Sequence, residues 1–303
     1  MKKILITGGS GLVGSSFIGE EFIHLSSKDG DLRNRESIKS LIEKTNPEGI
    51  IHCAAKVGGV LGNTKYPGDF YHENIMMNTN VIEEAKNKGI KKLVFFSSTC
   101  VFPDEVEYPL SPEKIHLGPP HQSNYAYAYA KRMGQVQIQA YKDQHDLNYF
   151  TVIPTNIYGP NDSYDMENGH VLPSLIHKMY LARESGEDFV VWGSGNPLRE
   201  FIFSEDVAKL TMNLYRDYNG NAPVILSTSN EMSIKNVVLM IADIFDFKGN
   251  IKFDTSKPEG QYRKPSDNSV IRQMYPDFKF TQMREGLEKS INWFIENYKI
   301  ARK

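Results

Sequence analysis

The sequence predicts an α/β fold with a doubly wound parallel sheet and a smaller α/β lobe towards the C-terminus. Short apolar runs alternate with longer periodic segments through the first half, and a glycine-rich turn follows the first apolar run. Strand–helix alternation of this kind is typical of a parallel sheet with helices on both faces.

The apolar runs of the first half are short and continuous, as expected of strands buried on both faces. Strands are predicted at 3–7, 22–25, 49–53, 92–96 and 149–154, and helices at 35–44, 70–87 and 126–143. The order is that of a Rossmann-type fold.

The first crossover is unusually short. Seven residues separate Gly14 from Phe22, whereas such connections usually need about a dozen residues. The sequence therefore predicts a truncated first helix of little more than two turns.

The pattern changes after Pro160. Residues 161–169 are polar and rich in turn formers, 171–183 are predicted helical, and 283–297 form an amphipathic last helix. We expect a first domain at 1–160 and a mainly substrate-binding lobe at 161–303. The two are interleaved, because the chain is expected to return to the first domain around 201–228.

Composition excludes several classes of protein. The 303 residues are 40% hydrophobic and 24% charged with a net charge of −2, which favours neither nucleic acid nor an anionic membrane as partner. Two cysteines, Cys53 and Cys100, fit neither a disulfide framework nor a four-ligand zinc site, so no metal is expected. The sequence contains neither a secretory leader nor an apolar span of about 20 residues. We expect a cytoplasmic protein.

The glycine-rich turn has the spacing of a dinucleotide-binding site. Gly8, Gly11 and Gly14 lie between the first strand and the first helix, where glycine lets the backbone approach a pyrophosphate at a helix N-terminus. The predicted contacts are Gly8, Gly9, Ser10, Gly11, Leu12, Val13 and Gly14.

Residues after the second strand usually select between NAD and NADP. Ser26, Ser27 and Lys28 offer hydroxyl donors and a positive charge suited to a 2′-phosphate, whereas Asp29 argues for NAD. The balance favours NADP, with Ser27, Lys28, Asp31 and Leu32 as predicted contacts.

Tyr127 and Lys131 form a Y-x-x-x-K pair on one face of a predicted helix. A lysine one turn away is expected to lower the tyrosine pKa towards the working range of an acid–base catalyst. Tyr125 and Tyr129 have no lysine four residues on. The pair alone is often only a packing feature.

A hydroxyl at the end of the fourth strand strengthens the interpretation. Ser98 follows the run 92–96, at the sheet edge where open α/β sheets bind ligands. The glycine turn, Ser98, Tyr127 and Lys131, in that order, resemble the short-chain dehydrogenase/reductase pattern.

A narrower resemblance runs essentially from end to end. The segments 54–59, 98–100, 154–160, 169–173, 191–195, 199–201 and 256–260 resemble the GDP-L-fucose synthases. Members of that family epimerise GDP-4-keto-6-deoxy-D-mannose at C3 and C5 and then reduce C4 with NADPH.

The resemblance implies roles for individual residues. Cys100 and His170 would exchange protons at C3 and C5, and Tyr127 would protonate the C4 oxygen that Ser98 orients. Lys131 would also hold the nicotinamide ribose. The nicotinamide end would contact Pro154, Asn156, Ile157 and His170, and the GDP-sugar would contact Lys178, Trp192, Arg199 and Glu259.

Other interpretations stay open at this point. Cys100 could be a core thiol, and Trp192 a packing residue between lobes. A C4-reductase of another GDP-4-keto sugar, such as a bacterial GDP-4-keto-heptose with a separate epimerase, would share these motifs. A non-catalytic nucleotide sensor on the same fold would be expected to have lost Ser98, Tyr127 or Lys131. A dehydratase is disfavoured, because no Asp-Glu pair follows Ser98.

The resemblance also implies a homodimer. Relatives pair through helices that correspond to 69–87 and 122–144, which together form a four-helix bundle.

Overall fold

A central parallel sheet organises the first domain. The computed structural model describes residues 3–257 and 261–303. Numbered in chain order, the strands of this sheet are β1 (Ile4–Thr7), β2 (Phe22–Leu25), β3 (Gly49–His52), β4 (Lys92–Phe96), β5 (Asn148–Pro154) and β9 (Val224–Leu226). They lie in the order β2-β1-β3-β4-β5-β9, and all are parallel. The predicted doubly wound sheet is confirmed.

Helices cover both faces of the sheet. Successive strand residues point to opposite faces, so an apolar strand has apolar side chains to bury on each side. Leu5 packs with apolar side chains of α1 (Arg35–Thr45), α3 (Pro67–Asn87) and α4 (Tyr125–His145). Its neighbours Ile4 and Ile6 pack on the other face against α6 (Ser204–Asp217). A short helix, α2 (Val60–Lys65), precedes α3.

Local signals explain where the main helices begin and end. The Asn34 side chain accepts a hydrogen bond from the Ser37 N–H at the start of α1, and Asn46 ends that helix with φ of 41°. Pro67 occupies the first turn of α3, where its missing N–H has no helical partner to lose.

The first crossover contains no α-helix. Between β1 and β2 there is a single 3₁₀ turn, Gly14–Ser16, so the prediction of a two-turn helix was wrong. Phe17 follows immediately and is buried in the core beneath the sheet. Only four residues, 18–21, remain between Phe17 and β2, which is too few for further turns of helix.

In the described part of the chain, the second lobe is built from two small sheets and three helices. β6 (Asn156–Tyr158), β8 (Leu198–Phe203) and β10 (Glu231–Ser233) form one sheet, and β7 (Phe189–Trp192) pairs with β11 (Ile251–Asp254). The helices are α5 (Val171–Ser185), α7 (Ile234–Ile244) and α9 (Met283–Glu296), whereas α8 (Ser269–Met274) packs on the first sheet beside β9. Residues from 202 to 226 pack on the first sheet, so the lobes are interleaved.

Of the helices in the described part of the chain, none combines the length and apolarity needed to cross a lipid bilayer.

Candidate active site

A cleft of about 1320 Å³ lies between the two lobes. Its floor is the carboxyl edge of β1, β3 and β4, where the glycine turn, Ala54 and Ser98 line it. The strand order reverses between β1 and β3, and ligands of open α/β sheets bind at such a switch point. Its far wall comes from α5 and β7 of the second lobe.

The glycine turn has the shape needed for a pyrophosphate. Gly8 has φ of 68°, and a Cβ on Gly14 would lie 2.2 Å from the Gly8 carbonyl oxygen. Within the described residues, the N–H groups of Leu12 and Val13 make no backbone hydrogen bond, and both residues line the cleft. These donors suit phosphate oxygens. Gly9 instead packs on His24.

The far end of the cleft floor would hold the adenosine part of a dinucleotide. Ser27, Asp31 and Leu32 line it, whereas Lys28 is exposed and is not among the described lining residues. Asp29 accepts hydrogen bonds from the N–H and hydroxyl of Ser26, both at 2.8 Å. This carboxylate therefore stabilises the turn in which it lies. Arg33 also lines the cleft. We did not predict Arg33, which lies beyond the usual selectivity position.

Ser98, Tyr127 and Lys131 meet at the carboxyl end of β4. Ser98 hydrogen-bonds to the Tyr127 phenol and begins the 3₁₀ turn Thr99–Val101, where its Oγ accepts from the Cys100 N–H at 3.3 Å. The Lys131 Nζ donates to the Phe96 carbonyl at 2.8 Å and lies 6.0 Å from the centroid of the Tyr127 ring. The predicted triad is thus assembled in one place.

Burial dominates the protonation of this triad. It raises the pKa of Tyr127 above its usual value, Cys100 adds to the rise, and the Ser98 hydrogen bond partly opposes it. Burial also lowers the pKa of Lys131 to about 8. The expected fall in the tyrosine pKa does not occur in the free protein, since burial and Cys100 outweigh the lowering by Ser98. Tyr127 is therefore a protonated phenol, the form that donates a proton.

The two cysteines have different surroundings. Cys100 lines the cleft, and its sulfur accepts a hydrogen bond from the Asn124 side-chain amide at 3.1 Å. Cys53, directly after β3, also lines the cleft, but it packs against the apolar core beneath the sheet, and burial raises the pKa of its thiol. Asn124 stands three residues before Tyr127, a position that carries no recognisable signal, and we did not predict it.

Lys264 is a second functional candidate that the sequence did not reveal. Burial lowers the pKa of its ammonium, while attraction to Cys100 opposes that fall. The segment that carries Lys264 is held by Ser266, whose hydroxyl donates to the buried Glu200 carboxylate. Only the tertiary fold brings residue 264 towards residue 100.

His170 forms part of the opposite wall. It stands immediately before α5 but makes no side-chain capping hydrogen bond, and its side chain is 47% exposed. The imidazole therefore remains available to the cleft, which it lines. The other predicted neighbours, Pro154, Asn156 and Ile157, line the cleft between the two walls. The Asn156 amide donates to the Glu200 carbonyl at 2.8 Å.

The predicted substrate residues are placed differently from one another. Lys178 and Trp192 line the cleft, with the Lys178 Nζ 4.3 Å from the centroid of the indole ring. Arg199 is half-buried and donates to the Leu198 carbonyl; it is not among the described residues that line the cleft. Glu259 lies outside the described residues.

Comparison with known proteins gives consistent matches. The model of the NAD dependent epimerase/dehydratase family matches residues 4–225. A GDP-L-fucose synthase of Dictyostelium discoideum is 44% identical, covering 100% of this chain and 98% of that protein. A probable GDP-L-fucose synthase of Drosophila melanogaster is 40% identical over the full length of both. A solved GDP-L-fucose synthetase of Naegleria fowleri bound to NADP is 42% identical with a TM-score of 0.94, covering 100% of this chain and 96% of that one.

Proposed function

The chain belongs to the NAD dependent epimerase/dehydratase family and, within it, to the GDP-L-fucose synthases, and we propose that it converts GDP-4-keto-6-deoxy-D-mannose to GDP-L-fucose with NADPH. The observation that carries the proposal is the meeting of two kinds of catalytic group in one cleft. Ser98, Tyr127 and Lys131 suit ketone reduction, and Cys100 and His170 suit proton exchange at carbon.

The cleft residues fit a dinucleotide. The N–H groups of Leu12 and Val13, which have no backbone acceptor within residues 3–257 and 261–303, would bind the pyrophosphate, and Lys131 would hold the nicotinamide ribose. NADPH, when bound, supplies the hydride that reduces C4. Ser98 then orients the ketone oxygen, and the buried Tyr127 phenol donates the proton that this oxygen gains.

Epimerisation uses the acidity that the C4 ketone gives to its neighbouring carbons. A base on one side of the sugar removes a proton from C3 or C5, and an acid on the other side returns one with inversion. Cys100 and His170 stand on different walls of the cleft, one on the turn after β4 and the other before α5. Inversion requires such an arrangement.

Lys178 and Trp192 would bind the GDP part of the substrate. The ammonium packs over the indole, and burial lowers its pKa, so bringing a diphosphate to this group would favour its charged form. The indole offers an aromatic surface on which a guanine ring can stack. Arg199 and Glu259 remain proposed contacts.

We also place this enzyme in the cytoplasm as a homodimer. Both cysteines are free thiols, as is usual in that compartment. α3 and α4 pack side by side, and a patch of large apolar side chains is exposed on and beside them: Tyr66, Tyr71, Tyr125, Tyr129, Met133 and Val136. Such patches mark association surfaces in soluble proteins.

The decisive experiment supplies the purified protein with NADPH and GDP-4-keto-6-deoxy-D-mannose and identifies the product. A parallel incubation without cofactor in heavy water reports deuterium at C3 and C5. Turnover to GDP-L-fucose with exchange at both carbons is expected. Reduction without exchange would make the chain a C4-reductase supplied by another epimerase. If neither occurs, turnover of a GDP-4-keto-heptose would support the heptose alternative, which the names of the relatives disfavour.

A further inference from the structure

A buried carboxylate with an unused oxygen lies in the loop between β6 and α5. The Asp162 side chain is 6% exposed, and its Oδ1 accepts a hydrogen bond from the Ser163 N–H at 2.7 Å. Its Oδ2 is buried and has no hydrogen-bond partner among the described residues. An unpaired buried acceptor costs about 1–3 kcal/mol, so its retention needs a reason.

The imidazole of His170 faces this carboxylate. Nδ1 of His170 lies 3.9 Å from Oδ1 of Asp162, which is ion-pair distance and beyond the range of a hydrogen bond. Hydrogen bonds of catalytic groups are often long in the free enzyme and shorten when substrate binds. Asp162 and His170 both line the cleft, so the pair forms part of the active-site wall.

One further charged group acts on Asp162. The Arg302 guanidinium donates to the neighbouring Asn161 carbonyl, and the Tyr164 N–H donates to the Arg302 carbonyl at 2.7 Å. Burial raises the pKa of Asp162, while the nearby His170, the Ser163 N–H and Arg302 oppose that rise. The C-terminal tail thus helps to keep a negative charge beside the imidazole.

We propose that Asp162 is a positioning residue for His170. The Asp162 carboxylate accepts a hydrogen bond from Nδ1–H of His170, and this leaves Nε2 of the imidazole to exchange protons with the sugar ring. The electron pair of the enolate takes the proton from Nε2–H of the imidazolium, a C–H bond forms, and the C4 ketone is restored. The neutral imidazole that remains keeps Nδ1–H on the carboxylate. This inference rests on the proposed function, since it names the partner of a proposed proton donor.

The first test reads the tautomer of His170 without any turnover. Full-length protein is labelled with ¹⁵N-histidine, and the His170 signals are identified by their loss in His170→Asn. Ring nitrogen shifts of the neutral imidazole should show Nδ1–H in the wild type. In Asp162→Asn they should move towards the Nε2–H form, since the amide can donate to Nδ1 and so disfavour a proton there. An unchanged tautomer in Asp162→Asn would overturn the proposal.

The second test measures solvent deuterium entering GDP-4-keto-6-deoxy-D-mannose without cofactor. Asp162→Asn should lower the rate at least about tenfold, as is usual for a partner that orients a catalytic histidine or metal ligand. Asp165→Asn is the matched control, because Asp165 lies in the same loop and, among the described residues, its carboxylate accepts hydrogen bonds from Glu167 and Asn168 alone.

Equal losses in Asp162→Asn and Asp165→Asn would mean that the loop had been disturbed, and the positioning role would be rejected. If the wild type itself shows no exchange, the proposed function fails. The tautomer measurement still decides whether Asp162 orients His170.

Discussion

The two sides of the catalytic cleft are built in different ways. Its reduction side, Ser98, Tyr127 and Lys131, sits at the end of a central strand and on a long helix packed against the sheet. Its epimerisation pair, Cys100 and His170, sits on a 3₁₀ turn and at the end of a loop. One side takes its geometry from regular structure, and the other depends on the contacts of irregular segments.

The electrostatic contrast follows from this difference. Burial is the largest cause that keeps Tyr127 protonated, and it lowers the pKa of Lys131 to about 8. A neighbouring side chain faces each of Cys100 and His170: an amide from Asn124 and a carboxylate from Asp162. Proton transfer to the ketone oxygen thus depends on the burial of Tyr127 and Lys131. Proton transfer at carbon depends on the single side chains that neighbour Cys100 and His170.

The largest effect is expected from Tyr127→Phe, which should abolish most of the reduction and leave the epimerisation intact. Loss of the phenol should lower the rate of NADPH oxidation about a thousandfold, because a positioned acid contributes on that scale. Deuterium exchange at C3 and C5 should stay within a few-fold of the wild type. Tyr129→Phe is the control, since Tyr129 lies on the same helix but is exposed. Equal loss of both activities in Tyr127→Phe would show that the sides are not separable.

The reverse separation is expected from Cys100→Ser. Removing the thiol should lower deuterium exchange and formation of GDP-L-fucose about a hundredfold. Hydride transfer to the unepimerised ketone should continue, giving a reduced sugar that retains its original configuration at C3 and C5. Product analysis by NMR distinguishes the two sugars. Unchanged exchange would remove Cys100 from the mechanism.

A smaller effect is expected when the neighbour of Cys100 is removed. Asn124→Ala deletes the amide that donates to the sulfur, and a hydrogen bond to a charged acceptor is worth about 1.5–3 kcal/mol. Exchange should therefore fall about tenfold, with the NADP affinity unchanged. The rate of iodoacetamide alkylation of Cys100 should change as well, because the amide contacts the attacking sulfur. A variant that keeps the wild-type rate of alkylation would refute the stabilising contact.

The reduction side should respond to pH through Lys131. The ammonium is the protonated form, so it predominates below the pKa of about 8 and is lost above it. Reduction at pH 8.5 should be roughly fourfold slower than at pH 7, and Lys131→Met should be slow at both pH values. The unfolding free energy should rise with pH above 8, because the unfolded lysine keeps its proton up to about 10.5. A pH-independent rate of reduction would exclude this role.

The smallest effect is expected at the other cysteine. Cys53→Ala removes a thiol that lines the cleft and packs against the core, and to which we assign no chemical role. The unfolding free energy should fall by about 1 kcal/mol, as is usual for a small loss of buried volume. Both activities should stay within twofold. A large loss of activity with normal stability would mean that the contrast between the cysteines is incorrect.

Much of the reduction side was predictable from spacing. Tyr127 and Lys131 share a helix face at any i, i+4 spacing, and Ser98 follows a strand whose buried run is evident. The pKa of Tyr127 was not predictable, since it depends on how deeply the phenol is buried. For the epimerisation pair, the residues came from the resemblance. Their neighbours Asn124 and Asp162 came only from the structure.

The sequence by itself determined the parallel sheet, the glycine turn and the catalytic tyrosine helix, because each depends on hydrophobic period or on local backbone geometry. Tertiary structure alone decided that one 3₁₀ turn replaces the first helix, that Asn124 contacts Cys100, and that Asp162 faces His170. Such contacts join residues that are separated in the sequence, and the packing of the whole domain sets the distances between them. The local sequence pattern does not determine those distances.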